Sequence, residues 1–221
     1  MILDTNSLVN TIDNINERWL FREAISADEA IGAARWIIAQ QGKKGSYRGL
    51  PAPTAYDFEH GIHSFTGERL VCASARHIMG QEAARAAWLL GQSNPEVNDA
   101  YNLATGWMRA EPEFQKSGTY CCARCTLAFW RHIWAGNFER NEALIRKGLN
   151  VMEKYHTGDG KWQTFPFFYA VYTLLDLDID LAFAELKYAR PVMEKYVQKS
   201  KAGKYTKRRL AILKKALERV S

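Results

Sequence analysis

Apolar residues along this chain recur at steps of three and four, the spacing that places side chains on one face of an α-helix. Between Ser26 and Gly42, the segment SADEAIGAARWIIAQQG follows this pattern, with apolar residues at positions 30, 33, 34, 37 and 38. Ser26 and Glu29 have the spacing of a helix-capping pair, and Gly42 is a typical helix stop. No segment alternates apolar and polar residues between turn signals, so the pattern predicts an all-α fold.

A second regularity is an internal repeat. Gly-Thr-Tyr at 118–120 and Gly-Lys-Trp at 160–162 lie 42 residues apart, and the alanine and aromatic residues that follow them keep the same register. A third copy runs from Trp36 to Tyr47. A hairpin of two helices, about 40 residues long, is too small to bury its own apolar face, so neighbouring hairpins have to stack. The repeat therefore predicts stacked helical hairpins of about that length.

The segments QQGKKGSY and YHTGDGKW, each followed by an aromatic-rich stretch, resemble the repeat of the squalene cyclase and protein prenyltransferase β-subunit superfamily. The resemblance implies an α/α barrel in which the aromatic residue after the glycine-rich turn packs between adjacent helices. This chain is shorter than the six-hairpin barrels of that superfamily, so we expect a partial α/α toroid or a short superhelix. We expect residues 1–200 to form this helical-repeat domain and residues 201–221 a basic amphipathic helix that caps it.

The net charge of +6 over 221 residues is unevenly distributed. Residues 195–221 contain ten Lys or Arg and one Glu, whereas residues 1–194 carry a net charge of −3. The C-terminal helix is thus the segment predicted to meet nucleic acid or an anionic membrane surface, unless its lysines only keep the capped end of the stack soluble. The acidic N-terminus and the absence of a long apolar run predict a cytoplasmic protein without a transmembrane segment.

Three of the four cysteines lie in one short segment, at positions 121, 122 and 125. In the repeat register they correspond to Gln163, Thr164 and Phe167, so cysteine is not needed to build the hairpin. Three interpretations remain open: small apolar side chains at a close helix contact, a reactive thiol, or thiolate ligands of a metal that His132 could join.

Candidate acid–base chemistry lies in the long loop between Gly42 and about residue 65. Asp57, His60 and His63 are close in sequence, and a carboxylate beside imidazoles is typical of a proton-transfer pair or a metal site. We predict Asp57, His60 and His63 as catalytic residues. The alternative is a solvated polar cluster without a function.

A third group of candidates consists of arginines and aromatic residues in the second half of the chain. In a toroid, such side chains would line a concave pocket able to hold an apolar or anionic ligand. The alternative is that they pack between hairpins. The predicted ligand-binding residues are Arg124, Trp130, Arg131, Trp162 and Tyr172.

Together these features favour a toroid-like domain that binds a small hydrophobic or anionic ligand, either isoprenoid-like or peptide-like. Its enzymatic form would resemble a terpenoid cyclase or prenyltransferase, with His60, His63 and Arg124 converging on one cavity. Two alternatives remain open: a nucleic-acid-binding protein of the HEAT-like helical-repeat type, and a protein-binding scaffold without catalysis. The sequence assigns no cofactor.

Overall fold

The computed structural model describes residues 1–136 and 141–221. Within these residues the chain forms eleven helices and a single pair of two-residue strands, which confirms the all-α class. In the described ranges, no helix combines the length and the apolar character needed to cross a bilayer. The arrangement of the hairpins as a repeat, toroid or superhelix stays a prediction.

The chain divides into two compact units, Met1–Phe65 with Arg69–Glu111 and Thr66–Glu68 with Pro112–Ser221. The expected division at residue 200 stays a prediction. Elements of the first unit are α1 (Leu8–Leu20), α2 (Ala27–Ile38), α3 (Ala55–His60), β1 (Ile62–His63), β2 (Arg69–Leu70), α4 (Cys72–Gly91) and α5 (Pro95–Arg109). Elements of the second unit are α6 (Pro112–Ser117), α7 (Ala123–Ala135), α8 (Asn141–Glu153), α9 (Phe167–Asp176), α10 (Asp180–Lys199) and α11 (Thr206–Arg219).

Helix α4 is the centre of the first unit, where it packs against α1, α2 and α5. Small residues on α4 let two of these helices approach closely: a Cβ at Gly91 would lie 3.0 Å from the Val97 side chain on α5 and 3.3 Å from Ala34 Cβ on α2. The caps of α2 and α5 are formed by residues that are typical of helix starts. Ser26 accepts a hydrogen bond from the Glu29 amide at the start of α2, and Asn94 caps α5 with Pro95 in its first turn. Strands β1 and β2 pair in antiparallel register, Ile62 with Leu70 and His63 with Arg69.

In the second unit, α7 packs against α8 and α9, and α10 packs against α8, α9 and α11. Two glycine turns determine how its loops lie. Gly118 has φ of +71°, and a Cβ there would collide with the Leu144 carbonyl oxygen and lie 2.5 Å from the Gly148 nitrogen, both on α8. Gly160 has φ of +86°, and its Cβ would lie 2.9 Å from the Val192 side chain on α10. Each loop is thus held against the second helix after it, α8 for Gly118 and α10 for Gly160, at a distance that only glycine permits.

Candidate functional site

Asp57, a predicted catalytic residue, is buried and faces the start of α1. Its carboxylate accepts hydrogen bonds from the Ser7 hydroxyl at 2.5 Å and from the Leu8 amide at 3.0 Å. The Thr54 amide donates to the same carboxylate at 2.8 Å and completes the capping box of α3. This one side chain therefore caps two helices whose ends are far apart in sequence.

The two predicted catalytic histidines lie in different surroundings. His60 is exposed at the end of α3, where its ring stacks on Tyr56 with centroids 3.8 Å apart and its Nδ1 lies 2.9 Å from the Tyr56 carbonyl oxygen. His63 is half-buried in β1. Asp57 thus points to α1 while His60 faces solvent. A cavity shared with Arg124 would join the two units, and it stays a prediction.

The predicted ligand-binding residues, apart from Arg124, lie in the interior of the second unit. Trp130 is fully buried and donates from Nε1 to the Gly118 carbonyl oxygen at 2.7 Å. Arg131 is also fully buried, 2.7 Å from the Asp176 carboxylate and 3.9 Å above the Tyr172 ring. Trp162 donates from Nε1 to the Glu185 carboxylate at 2.6 Å. These contacts fill the helix interfaces, so a ligand would reach these side chains only if the helices separated. Their role in ligand binding stays a prediction.

The cysteine segment, by contrast, presents a group of thiols at the surface. The sulfur atoms of Cys121, Cys122 and Cys125 all lie within 4.8 Å of one another. Cys121 and Cys122 are exposed, whereas Cys125 is 2% exposed. Cys122 is the N-cap residue of α7, and Cys125 lies in the first turn of the same helix. An accessible thiol therefore lies directly beside a buried one.

The local backbone explains why the thiols meet. Thr126 Oγ1 accepts a hydrogen bond from the Tyr120 amide at 2.9 Å and lies 2.9 Å from the Cys122 carbonyl oxygen, to which it can donate. This clamp folds the chain back over the first turn of α7 and leaves Cys121 in the left-handed region, with φ of +53°. Such a conformation is uncommon for a residue with a side chain, and the surrounding contacts have to hold it.

The thiols of Cys122 and Cys125 have pKa values shifted in opposite directions. The pKa of Cys122 is lowered to about 5, chiefly because the Cys125 S–H donates to its sulfur. Burial opposes this shift, while the N–H groups of Cys125 and Arg124 and the Arg124 charge reinforce it. Conversely, the pKa of Cys125 is raised, because its proton is held by Cys122 and its sulfur is buried. At neutral pH, Cys122 is thus the thiolate and Cys125 the protonated donor.

A cleft of about 260 Å³ opens beside these thiols. Cys121 and Cys122 form part of its wall, Tyr155 and Phe165 contribute aromatic rings, and Glu113 is its one carboxylate. Tyr155 is 36% exposed and meets Phe165 edge to face with ring centroids 5.9 Å apart. A cleft of this size admits an extended side chain or a small disulfide rather than a large cofactor.

The same three thiols also have the proximity that a metal site requires. Three thiols within 4.8 Å of one another could supply three sulfur ligands to a thiophilic ion such as Zn²⁺ or Cu⁺. His132, the residue that the sequence suggested could join the thiols, is buried within α7 and does not belong to this group. Among the described residues, this is the one cluster with three or more potential metal-ligating groups.

The basic C-terminal helix α11 packs on α9 and α10 through Ile212, Leu213 and Ala216, which are buried. Arg219 donates to the Leu175 carbonyl oxygen at 2.5 Å. Lys214 is exposed on the other side of the helix. Contact of this helix with nucleic acid or a membrane surface stays a prediction.

Two features of the structure do not follow from the sequence patterns described above. The spacing of Cys122 and Cys125 does not reveal that the pair lies at the start of a helix. The Ser-Gly-Thr turn before them is the signal in the sequence that indicates this helix start. A surface cavity of the first unit, described below, is lined by residues from three separate segments. No local pattern marks such a cavity.

Comparison with protein-family models, with curated proteins and with solved structures finds no match for this chain.

Proposed function

We propose that this chain carries out thiol–disulfide exchange, with Cys122 as the attacking thiolate and Cys125 as the thiol that resolves the mixed disulfide. The observation that carries the proposal is the position of an exposed thiol at the first turn of α7, directly beside a buried one. Exchange needs an accessible thiolate and a second thiol close enough to displace the product, and these two residues meet both needs.

In the first step, the Cys122 thiolate attacks one sulfur of a substrate disulfide. A bond forms between Cys122 and that sulfur, the substrate S–S bond breaks, and the departing thiolate takes up a proton. Conversion of Cys122 to a mixed disulfide also removes the negative charge that holds the proton on Cys125. The reactivity of the second thiol therefore increases only after the first has reacted.

In the second step, Cys125 loses its proton to the solvent or to a departing thiolate and attacks the Cys122 sulfur. The Cys122–Cys125 disulfide forms, and the remaining half of the substrate leaves as a thiol. Two electrons have passed from the protein dithiol to the substrate. A reducing thiol or dithiol from solution returns the protein to its starting state.

The narrow cleft beside Cys122 favours a substrate of the size of a cysteine side chain or a small dialkyl disulfide. Hydroxyethyl disulfide is a suitable probe because it is small and neutral. After reaction with reduced protein and an acid quench, mass spectrometry should locate an intramolecular disulfide between Cys122 and Cys125. Cys125→Ser should instead accumulate the mixed disulfide on Cys122, because the resolving thiol is missing.

Cys121→Ser is the matched control, since it removes an exposed thiol of the same cluster and should leave the exchange unchanged. Equal trapping on Cys121 and Cys122 would contradict the proposal. So would a protein that releases a stoichiometric metal on denaturation and whose thiols react only after the metal is removed; that result would assign the cluster to metal binding.

A further inference from the structure

The first unit contains a cavity of about 760 Å³ between the loop that follows α2 and helices α3 and α4. Residues on that loop, on α3 and on α4 line it, so the packing of three separate segments creates it. Its volume lies within the range of roughly 300–1,000 Å³ that is common for small-molecule sites. All of its lining residues belong to the first unit, so it is independent of the thiol pair.

One side of the cavity is apolar. Ala52 and Pro53 are buried at its base, and Phe58 forms a wall. The Phe58 side chain is 42% exposed, which is unusual for a large apolar ring. A Cβ at Gly45 would lie 3.6 Å from this ring, so the ring stands against the backbone of the loop. An apolar chain laid over Phe58 would cover surface that is now in water.

The rim of the cavity is cationic. Lys43, Lys44 and Arg76 line it, against a single carboxylate at Glu59. Lys43 Nζ donates to the Gln40 side-chain oxygen at 2.9 Å, and the Arg76 guanidinium lies 5.6 Å from the centroid of the Phe58 ring. Within the two described ranges of the chain, none of the three cations forms an ion pair with a carboxylate. An anion at the rim would therefore not have to displace a carboxylate from these cations.

We infer that this cavity binds a single-chain amphiphile whose head group is a carboxylate or a phosphate. The apolar chain lies over Phe58, Ala52 and Pro53, and the head group contacts Lys43, Lys44 and Arg76. A free inorganic anion would use the cations but leave the apolar base in water. A neutral lipid would cover the base but leave the three cations without an anionic partner. The amphiphilic anion is the ligand that satisfies both surfaces.

Isothermal titration calorimetry with dodecyl phosphate and with dodecanoate, each below its critical micelle concentration, tests the inference. We expect saturable binding of one molecule per chain. Arg76→Gln removes a rim cation and should weaken binding about tenfold or more. Phe58→Ala should weaken it to a similar extent, and Phe58→Leu should restore part of the loss. The tighter of the two ligands identifies the head group.

Lys187→Gln is the matched control, because it makes the same change in net charge at an exposed position of α10 and should leave the affinity unchanged. Circular dichroism checks that each variant is folded, which the exposure of Phe58 and Arg76 leads us to expect. The inference is overturned if dodecyltrimethylammonium or dodecanol binds as tightly as dodecyl phosphate. It is equally overturned if inorganic phosphate alone binds as tightly, or if the Lys187 and Arg76 variants lose the same affinity.

Discussion

In the second unit, the loop before α7 and the loop before α9 both turn at a glycine with positive φ, and each glycine lies against the second helix after its loop, Gly118 against α8 and Gly160 against α10. An indole N–H secures each loop: that of Trp130 donates to the Gly118 carbonyl, and that of Trp162 to the Glu185 carboxylate. The loops differ in where the helix then begins. Helix α7 begins at Ala123, with Cys122 as its cap, whereas α9 begins two residues later in the predicted register, at Phe167, with Pro166 in the cap position.

This difference distinguishes the residues that build each loop from the thiols that could react. In the first loop, the clamp made by Thr126 brings Cys122 and Cys125 into one helical turn. In the second, Thr164, the counterpart of Cys122, lies two residues before the cap of α9, and Phe167 takes the place of the buried thiol. The glycine and the indole build the loop in both places, and only the first loop adds a pair of thiols.

The largest effect should follow from Gly118→Ala. A Cβ here collides with backbone atoms of α8 that cannot move aside, and φ of +71° adds strain. We expect a loss of more than about 3 kcal/mol in the free energy of unfolding, measured by urea denaturation. Gly158→Ala is the control, because φ there is +84° but no atom lies within 4 Å of the new Cβ; it should cost about 1–2 kcal/mol. Equal losses would show that the loop does not need its contact with α8.

The second loop is tested by Trp162→Ala, which should lower the free energy of unfolding by about 3–5 kcal/mol because a buried ring is removed. Trp162→Phe keeps most of the ring but removes the donor to buried Glu185, and should cost about 1–3 kcal/mol. A loss below about 1 kcal/mol for the alanine variant would contradict the register in which Trp162 secures this loop.

The helical class and several caps follow from local sequence, because apolar spacing and capping residues act within one or two turns. The hydrogen bonds by which Asp57 caps α1 and α3 could not be predicted in this way, and its catalytic role stays a prediction. Its neighbours His60 and His63 suggested proton transfer, but its hydrogen-bond partner Ser7 lies 50 residues away. The same holds for Arg131, whose charge is balanced by Asp176 in the next hairpin. Such pairings depend on how helices pack, and a single sequence does not reveal them.

The thiol pair was predictable in part. The spacing of the cysteines places two of them on one helix turn, and in the predicted repeat register other residues stand at the equivalent positions. Which thiol is exposed depends on where α7 begins. The hydrogen bond between the Tyr120 amide and Thr126 Oγ1 fixes the start of this helix. Helix ends are the least certain part of a sequence interpretation, so the distinction between Cys122 and Cys125 needed the structure.

The contrast between the two thiols is tested by the pH dependence of alkylation. The thiolate is the reactive form, so the rate at Cys122 should rise with pH through a midpoint near its pKa of about 5 and then level off. Cys125→Ala removes the S–H donor that contributes most to this low pKa, and the midpoint should move up toward the ~8.5 of a free thiol. The midpoint is measured by iodoacetamide labelling of the protein in a Cys121→Ser background at several pH values, followed by mass spectrometry. An unchanged midpoint would mean that Cys125 does not stabilise the thiolate.

The smallest effect should come from Arg124→Ala. Arg124 is exposed, and its charge is the last of the contributions that lower the pKa of Cys122. Because a surface charge is screened by water, the midpoint should rise by less than about one pH unit. Arg124→Lys keeps the charge and should leave the midpoint unchanged. In about 1 M salt, where the screening length falls to about 3 Å, wild type and the alanine variant should converge. If the difference persists in salt, Arg124 acts through the backbone at the start of α7 rather than through its charge, and the lysine variant should then shift as well.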